Sequence, residues 1–179
     1  MADGATGGGG QPAPRMYART GIGYDSHRFE QGGPIVLGGV RIPSDFHLAG
    51  HSDGDAIAHA LTDAILGAAA AGDIGSMFPD TDPQNAGRDS IGMLAAARNV
   101  VIARGWIVIA ADITVIAERP RISAHRDEMC RALANALGVV PDAISIKGKT
   151  NEGMGWIGRG EGLACIAVAT IAPLEGPTL

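Results

Sequence analysis

The strongest constraint on the fold is a helical period in the first half of the chain, set among segments with the composition of β-strands. Ile57, Leu61 and Ile65 recur every four residues, and alanine fills most of the gaps between them. This spacing predicts an amphipathic helix over Asp55–Ala71 that ends at Gly72. A helix with one apolar face has to bury that face against another layer, and the neighbouring strand-like segments are the available layer.

Two more helices are predicted over Ser90–Arg104 and Ser123–Leu137, and each is ended by a glycine. The resulting order of elements, ββααβαββ, predicts an α/β (α+β) fold in which helices cover one face of one mixed β-sheet. The β-branched and apolar segments predicted as strands are residues 17–27, Pro34–Ile42 (where Gly38-Gly39 allows a bend or bulge), Trp106–Ala117, Ala143–Lys147 and Leu163–Ile171.

We expect a single domain over residues 16–174, because the chain has no internal repeat and no linker after residue 20. The Gly/Pro/Ala-rich residues 1–15 read as a disordered lead-in, and residues 175–179 as a tail. Of the 179 residues, 30 are Ala and 27 are Gly, while only seven are aromatic. A core of such small side chains suggests that a partner subunit completes the burial.

The charge and cysteine content exclude several classes of protein. The net charge of −5 without a basic run gives no reason to expect a nucleic-acid partner. No apolar run reaches the ~18 residues that a membrane span requires, and the N-terminus lacks the apolar region of a secretory signal. Cys130 and Cys165 are read as reduced thiols. We therefore expect a cytoplasmic protein without a membrane partner.

A candidate metal site combines a strand with the first helix. Asp25 and His27 are two residues apart on a predicted strand and so project from the same face. With His59 from a facing helix they can present one carboxylate and two imidazoles, as in a zinc site that leaves one position open for substrate. Asp63, which shares a helical face with Asp55 and His59, is expected to accept the second ring N–H of His59. The alternative is a capped helix with surface histidines.

Residues 147–162 are rich in glycine and also carry lysine, arginine and glutamate side chains. Glycines let backbone N–H groups approach an anion, cations neutralise it, and a carboxylate can hold Mg²⁺. Neither known glycine fingerprint is met, since Ala143 stands where a P-loop needs glycine and Ser26 where a dinucleotide fold needs one. The alternative is a flexible surface loop.

Taken together, four segments resemble the 2-C-methyl-D-erythritol 2,4-cyclodiphosphate synthases, a family of the non-mevalonate isoprenoid pathway. The resemblance covers residues from about 20 to 171, and a block of more than thirty residues matches in order. The segments are Asp25-x-His27-x-Phe29, LGGVRIP (37–43), HSDGDAIAHALTDAILGAAAAGDIGSMFPDTDP (51–83) and GRGEG (158–162).

The resemblance implies a homotrimer with active sites between subunits, and a substrate that is linked to cytidine diphosphate. It implies an enzyme, a phosphorus–oxygen lyase that converts 4-diphosphocytidyl-2-C-methyl-D-erythritol 2-phosphate to 2-C-methyl-D-erythritol 2,4-cyclodiphosphate and releases CMP. Asp25, His27 and His59 would hold Zn²⁺ or a similar divalent ion, and Glu152 would hold Mg²⁺ or Mn²⁺ with the substrate diphosphate. The alternatives are a zinc-dependent phosphate-ester hydrolase and a non-catalytic nucleotide or isoprenoid sensor.

The family pattern also implies catalytic and substrate-binding residues. His51 and Thr150 would stabilise charge on the reacting phosphorus. The chain departs from the family at Lys149 and Asn151, where the family often has threonine, and at Trp156, where it often has phenylalanine. The full set of implied substrate-binding residues is Asp25, Ser26, His27, His51, Ser52, Asp73, Ile74, Gly75, Phe78, Pro79, Asp80, Thr81, Asp82, Ala117, Pro120, Arg121, Ile122, Ser123, Lys149, Thr150, Asn151, Glu152, Trp156 and Arg159.

Overall fold

The structure, a computed structural model, describes residues 17–85 and 87–174, so the lead-in and the tail expected from the sequence lie outside the described residues. The α-helices are α1 (Ala56–Ala68), α2 (Ile74–Met77), α3 (Ser90–Ala103), α4 (Arg126–Leu137) and α5 (Gly155–Gly158). The strands are β1 (Arg19–Gln31), β2 (Ile35–Leu37), β3 (Val40–Ile42), β4 (Phe46–Leu48), β5 (Trp106–Ile116), β6 (Ile144–Lys149) and β7 (Gly162–Pro173). Short 3₁₀ turns lie at Pro83–Asn85, Ile122–Ala124 and Pro141–Ala143.

One main sheet organises the chain, with the strand order β4-β1-β7-β5-β6. Its strands pair antiparallel except for β5 and β6, which are parallel and are joined by a crossover through α4. The sheet is therefore mixed, and helices α1, α3 and α4 pack on one side of it. This confirms the expected α/β architecture of a main sheet flanked by helices.

The segment predicted as a single strand over Pro34–Ile42 is instead a hairpin of β2 and β3, which forms a separate two-stranded sheet. Gly38 and Gly39 are its turn, not a bulge, and both have positive φ (56° and 76°) that glycine adopts without strain. The order ββααβαββ is also wrong in omitting β4. The three-residue β4 is too short to be detected by its alternation, and its pairing with the end of β1 places it in the sheet.

Helix α1 lies unusually close to strand β1, because the strand presents glycine to it. A Cβ atom added to Gly23 would lie 1.9 Å from the Ala60 carbonyl oxygen, and one added to Gly21 would lie 2.2 Å from that of Ala64. Alternation then places Asp25 and His27 further along the same face of β1. The glycines thus let the helix that carries His59 approach the strand that carries the other two side chains.

The opposite face of the main sheet exposes apolar side chains. Ile22 and Tyr24 on β1 are 69% and 56% exposed, and Ile109 and Val168 on β5 and β7 are also exposed. In the described part of the chain no helix packs over these side chains. Several exposed apolar side chains on one uncovered face of a sheet are typical of a surface that meets another protein.

In residues 17–85 and 87–174, no helix has both the length and the apolar character needed to cross a membrane. Cys130 and Cys165 are free thiols, as expected, and burial raises the pKa of both.

Candidate active site

Asp25, His27 and His59 converge on one point between β1 and α1. The Oδ2 atom of Asp25 lies 2.9 Å from Nε2 of His27 and 3.0 Å from Nδ1 of His59. The two histidine nitrogens are 3.4 Å apart. The structure therefore brings together the three side chains that were predicted from the strand period and the helix period as metal ligands.

The remaining ring nitrogens of both histidines have partners of their own. Nδ1 of His27 lies 2.5 Å from the carbonyl oxygen of Ala49, which can only accept a hydrogen bond. Nε2 of His59 lies 2.9 Å from the hydroxyl of Ser90 and 3.1 Å from that of Ser52. Partners of this kind hold an imidazole ring in place and leave its other nitrogen free to bind a metal ion.

The prediction that Asp63 supports His59 is wrong. The Asp63 carboxylate accepts the backbone N–H of Ile74 at 2.7 Å and so anchors the start of α2. Asp55, which was expected on the same helical face as His59 and Asp63, is the buried N-cap of α1. It accepts the N–H groups of Ile57 and Ala58 and those of the hairpin turn. Spacing along a helix specifies a common side, but it does not specify which partner lies opposite.

His27 and His59 change the pKa of the Asp25 carboxyl group, which lies between them. Burial by itself raises the pKa of Asp25, but hydrogen bonds and the charges of His27 and His59 outweigh it and hold the pKa well below its usual range. Burial lowers the pKa of His27, and the hydrogen bond and charge of Asp25 outweigh that, so that the net shift is upward. Asp25 is therefore ionised at neutral pH, and an incoming cation displaces any proton that His27 carries.

The donor set fits a divalent ion of the zinc type. One carboxylate oxygen and two imidazole nitrogens, all within 4.8 Å of one another, are the ligands that Zn²⁺ takes in sites with an open fourth position. The three side chains are largely buried, with 24%, 15% and 11% of Asp25, His27 and His59 exposed. Once any protons between these three atoms are displaced, each atom can donate a lone pair to the same cation.

The triad opens on a cavity of about 250 Å³, which we call the metal cavity. The cavity gathers most of the residues that the family pattern implies for the sugar phosphate end of the substrate. Gly50, Asn85 and Met93 also line the cavity. They were not predicted, because none of them belongs to a recognisable metal-binding or phosphate-binding motif. The predicted residues in its walls are Asp25, His27, His51, Ser52, His59, Ile74, Gly75, Phe78 and Asp80.

Other predicted residues stand beside the metal cavity without lining it. Ser26 points to the opposite face of β1, although its N–H donates to Oδ1 of Asp25 at 2.8 Å. Asp73 caps α2 by accepting the N–H of Ser76 at 2.7 Å. The remaining members of this group are exposed residues of the loop that follows α2: Pro79, Thr81 and Asp82.

A second cavity, of about 390 Å³, lies at the carboxyl ends of β5 and β6, and we call it the nucleotide cavity. Glu118, which lies within the range 117–123 that the family pattern implies for the cytidine pocket, also lines it, as do Arg126 and Gly148, which were not predicted. Glu118 has a clear local role, since its Oε1 atom accepts the N–H groups of Asn151 and Gly153. The predicted residues in its walls are Ala117, Pro120, Arg121, Ile122, Ser123, Lys149 and Thr150.

The segment after Thr150 is more exposed than either cavity. The Thr150 hydroxyl donates to Oε1 of Glu152 at 2.9 Å, and Glu152 itself has a positive φ of 52°. Such a backbone conformation is strained for a residue other than glycine and is often found at ligand-binding sites. Neither Trp156 nor Arg159 lines the nucleotide cavity. Trp156 is 38% exposed, and Arg159 forms an ion pair with Glu161.

Within one chain the two cavities are separate. They have no lining residue in common among the described residues. The strand pairing runs from Asp25 to Cys165, then to Val115 and to Gly148. Spacings of about 4.8 Å between neighbouring strands therefore put about 10 Å between β1 and β5 and about 14 Å between β1 and β6, the two strands that end at the nucleotide cavity.

Comparison with known proteins identifies relatives over nearly the whole described chain. The sequence model of the YgbB family matches residues 18–172. The 2-C-methyl-D-erythritol 2,4-cyclodiphosphate synthase of Gemmatimonas aurantiaca is 61% identical over 164 residues, which are 92% of this chain and 99% of that protein.

Two solved structures share the fold at substantial identity. A 2C-methyl-D-erythritol-2,4-cyclodiphosphate synthase in its CDP-bound form has a TM-score of 0.79 and 40% identity, over 86% of this chain and 100% of the other. IspF of Plasmodium falciparum, as a CDP complex, has a TM-score of 0.77 and 34% identity, over 88% of this chain and 97% of the other. None of these three relatives supports the phosphate-ester hydrolase considered as an alternative.

Proposed function

The chain belongs to the YgbB family, and from this membership we propose that it catalyses the cyclodiphosphate synthase reaction. Its substrate is 4-diphosphocytidyl-2-C-methyl-D-erythritol 2-phosphate, and its products are 2-C-methyl-D-erythritol 2,4-cyclodiphosphate and CMP. The single observation that carries the assignment is the Asp25, His27 and His59 triad in the wall of the metal cavity. A phosphorus–oxygen lyase of this kind needs a cation beside its substrate's phosphates, and this is where the chain can hold one.

The reaction is an internal phosphoryl transfer. An oxygen of the 2-phosphate forms a bond to the β-phosphorus, and the bond from that phosphorus to the bridging oxygen breaks, so that CMP leaves with the electron pair. Because an anion attacks an anionic centre, the protein has to neutralise charge and align the two ends of one flexible molecule. Well-oriented intramolecular reactions reach effective molarities of roughly 10⁵–10⁸ M, so positioning alone supplies much of the rate.

Asp25, His27 and His59 hold the resident divalent ion. When bound, such an ion polarises phosphate oxygens and stabilises the charge that develops on them. Asp25 arrives ionised because of its low pKa, and the second contacts of both histidines keep their ligand nitrogens directed at the same point.

His51 and Ser52 lie in the same wall and contact the substrate's phosphates. His51 is exposed to the metal cavity, and its carbonyl oxygen accepts the N–H of Gly87 at 2.7 Å, which holds the loop against the start of α3. Its imidazole is therefore available to donate to a phosphate oxygen. Asp73, Ile74, Gly75 and residues 78–82 hold the methylerythritol phosphate, and the anchoring of Ile74 by Asp63 keeps this segment next to the triad.

The cytidine part occupies the nucleotide cavity, between residues 117–123 and the segment from Lys149 to Glu152. Lys149 supplies a cation beside the diphosphate, and Thr150 stabilises charge on the reacting phosphorus. Glu152 holds Mg²⁺ or Mn²⁺ together with the diphosphate, which suits its exposure and its strained backbone. Two similar structures in complex with CDP support a ligand of this class.

The active site is completed between neighbouring subunits of a homotrimer. One chain's triad lies on β1 and α1, and its nucleotide cavity lies at the ends of β5 and β6, about 10–14 Å away across the sheet, so a second chain is the natural source of the missing half. The exposed apolar face of the sheet, with Ile22, Tyr24, Ile109 and Val168, is a surface for such an assembly. Closed cyclic symmetry gives every subunit the same pair of half-sites.

The decisive experiment is to incubate the purified chain with the cytidyl substrate and Mg²⁺ and to follow the products by ³¹P NMR. We expect CMP together with a cyclic diphosphate. A linear phosphate product would indicate a hydrolase, and binding of CDP without turnover when both metals are supplied would indicate a nucleotide sensor. Either result would overturn the proposal.

A further inference from the structure

Ser90, the first residue of α3, combines complete burial with three polar contacts. Its hydroxyl lies 2.9 Å from Nε2 of His59 and hydrogen bonds to Oδ1 of Asp53. The other carboxylate oxygen of Asp53 accepts the backbone N–H of Ser90 at 3.3 Å. Asp53 therefore holds both the main chain and the side chain of Ser90 at the back of the metal cavity.

The hydrogen bonds that link Asp53, Ser90 and His59 fix which atom donates and which accepts. A carboxylate only accepts, so the single hydroxyl proton of Ser90 goes to Asp53. The Ser90 oxygen is then left with lone pairs towards His59, so Nε2 of His59 carries the proton between them. When His59 binds a cation as a neutral imidazole, its ligand atom is then Nδ1, which faces Asp25 and His27.

We propose that Ser90 and Asp53 are positioning residues, which select the tautomer and orientation of His59 that binds the metal ion. The proposal rests on the metal site assigned above, and goes beyond it in naming the groups that support its helix-borne ligand. Partners of this kind change metal affinity by roughly 10–100-fold when they are removed.

Ser52 also approaches Nε2 of His59, and its contacts differ from those of Ser90. Its oxygen lies at 3.1 Å and accepts the N–H of Gly54 at 3.2 Å, so its own hydroxyl proton is not committed to a carboxylate. Ser52 is partly exposed and lines the metal cavity, whereas Ser90 is fully buried. The two hydroxyls therefore have different roles. Ser90 orients His59, whereas Ser52 can donate a hydrogen bond to a phosphate in the metal cavity.

The test measures zinc affinity of the full chain by competition with a chromophoric chelator. We expect Ser90→Ala to raise the Kd for zinc by about 10–100-fold, and Ser52→Ala to change it by less than about threefold because Ser90 still accepts the ring proton. Thr62→Val is the matched control. It also removes a buried hydroxyl, this one on α1, which donates to the Ala58 carbonyl and does not contact His59, and it should leave the affinity within about twofold.

Unchanged zinc affinity in Ser90→Ala, or an equal or larger loss in Ser52→Ala, would overturn this proposal alone. Absence of zinc binding by the unaltered chain would overturn the metal assignment together with it. A second measurement does not depend on the variants folding: in the zinc-loaded unaltered protein, ¹H,¹⁵N NMR should show the His59 proton on Nε2 and protected from solvent exchange. A proton on Nδ1, or one in rapid exchange, contradicts the proposal.

Discussion

The metal cavity and the nucleotide cavity differ in how far one chain completes them. Each side chain of the triad is largely buried and has a second contact that fixes its direction: the Ser26 N–H for Asp25, the Ala49 carbonyl for His27 and Ser90 for His59. We call the triad and the metal cavity the metal half of the proposed site, and the nucleotide cavity with residues 150–152 the nucleotide half. In the nucleotide half, by contrast, Thr150 and Glu152 are exposed, and the Thr150 hydroxyl donates a hydrogen bond to Glu152. The fold of a single chain thus preorganises the metal half, whereas the side chains of the nucleotide half are less firmly held by other parts of the same chain.

The largest expected effect is that of His59→Ala, which removes one ligand from the preorganised half. The two remaining ligands do not hold the ion tightly, so metal analysis should find the site depleted, and turnover should fall by at least about 10³-fold. CMP affinity should stay within about threefold, because the nucleotide cavity shares no lining residue with the triad.

Thr62→Val serves as the control here too, since it changes α1 without touching the triad. Full metal occupancy in His59→Ala would contradict the assignment of His59 as a ligand.

Glu152→Gln makes the complementary change in the exposed half. It removes a charge with little change in shape, so we expect Mg²⁺-dependent turnover to fall by about 10²-fold while the tightly bound metal remains. The measurement is turnover against Mg²⁺ concentration, alongside metal analysis of the purified variant. Normal cyclisation at low Mg²⁺ would show that Glu152 does not hold the second ion.

Gly23→Ala tests whether the close packing of α1 on β1 builds the metal half. Its Cβ would lie 1.9 Å from the Ala60 carbonyl oxygen, so the helix has to move, and the free energy of unfolding should fall by about 1–3 kcal/mol. Zinc affinity should fall as well, while CMP affinity stays unchanged. Thermal unfolding and the two binding titrations measure these effects.

The matched control is Gly67→Ala on the same helix, where an added Cβ meets nothing within 4 Å. Since alanine has the higher helix propensity, this change should raise stability by up to about 1 kcal/mol. Equal destabilisation by the two variants would exclude the packing explanation.

The smallest effect is the most specific test of sharing between subunits. His59→Ala damages the metal half and Glu152→Gln the other half, and each alone should be nearly inactive. If sites form between subunits, randomly mixed trimers should recover about a quarter of the unaltered activity, because an intact half of each kind meets with a probability of about one half times one half. Co-expression followed by an activity assay measures this, and activity no greater than that of the separate variants would favour sites within one chain.

The triad could be predicted from the sequence, because its members follow local geometric rules. The alternation of β1 puts Asp25 and His27 on one face, and the period of α1 marks a helix that carries His59 towards the sheet. The helices over residues 56–68, 90–103 and 126–137 were also predicted, although the last was expected from Ser123, where the structure has a 3₁₀ turn. The short β4 and the β2–β3 hairpin were missed, since three-residue strands are defined by their partners and not by a pattern.

The contacts that support the triad could not be predicted in this way. Ser90 is 31 residues from His59 along the chain, and a serine at a helix start is read as a cap. Asp63, which has the right helical spacing, was preferred, but it faces the start of α2 and binds Ile74. Spacing along the chain allows several side chains to contact His59, and the packing of the helices determines which of them does.

The sequence by itself determined the residue types of the metal site, the faces they occupy and the elements that carry them, because strand and helix periods are properties of the local backbone. Only the tertiary structure decided which nitrogen of His59 faces Asp25 and His27, which hydroxyl lies behind the ring, and how far apart the two cavities lie across the sheet. Those outcomes depend on how closely α1 approaches β1 and on the order of strands in the sheet, and both are set by long-range packing.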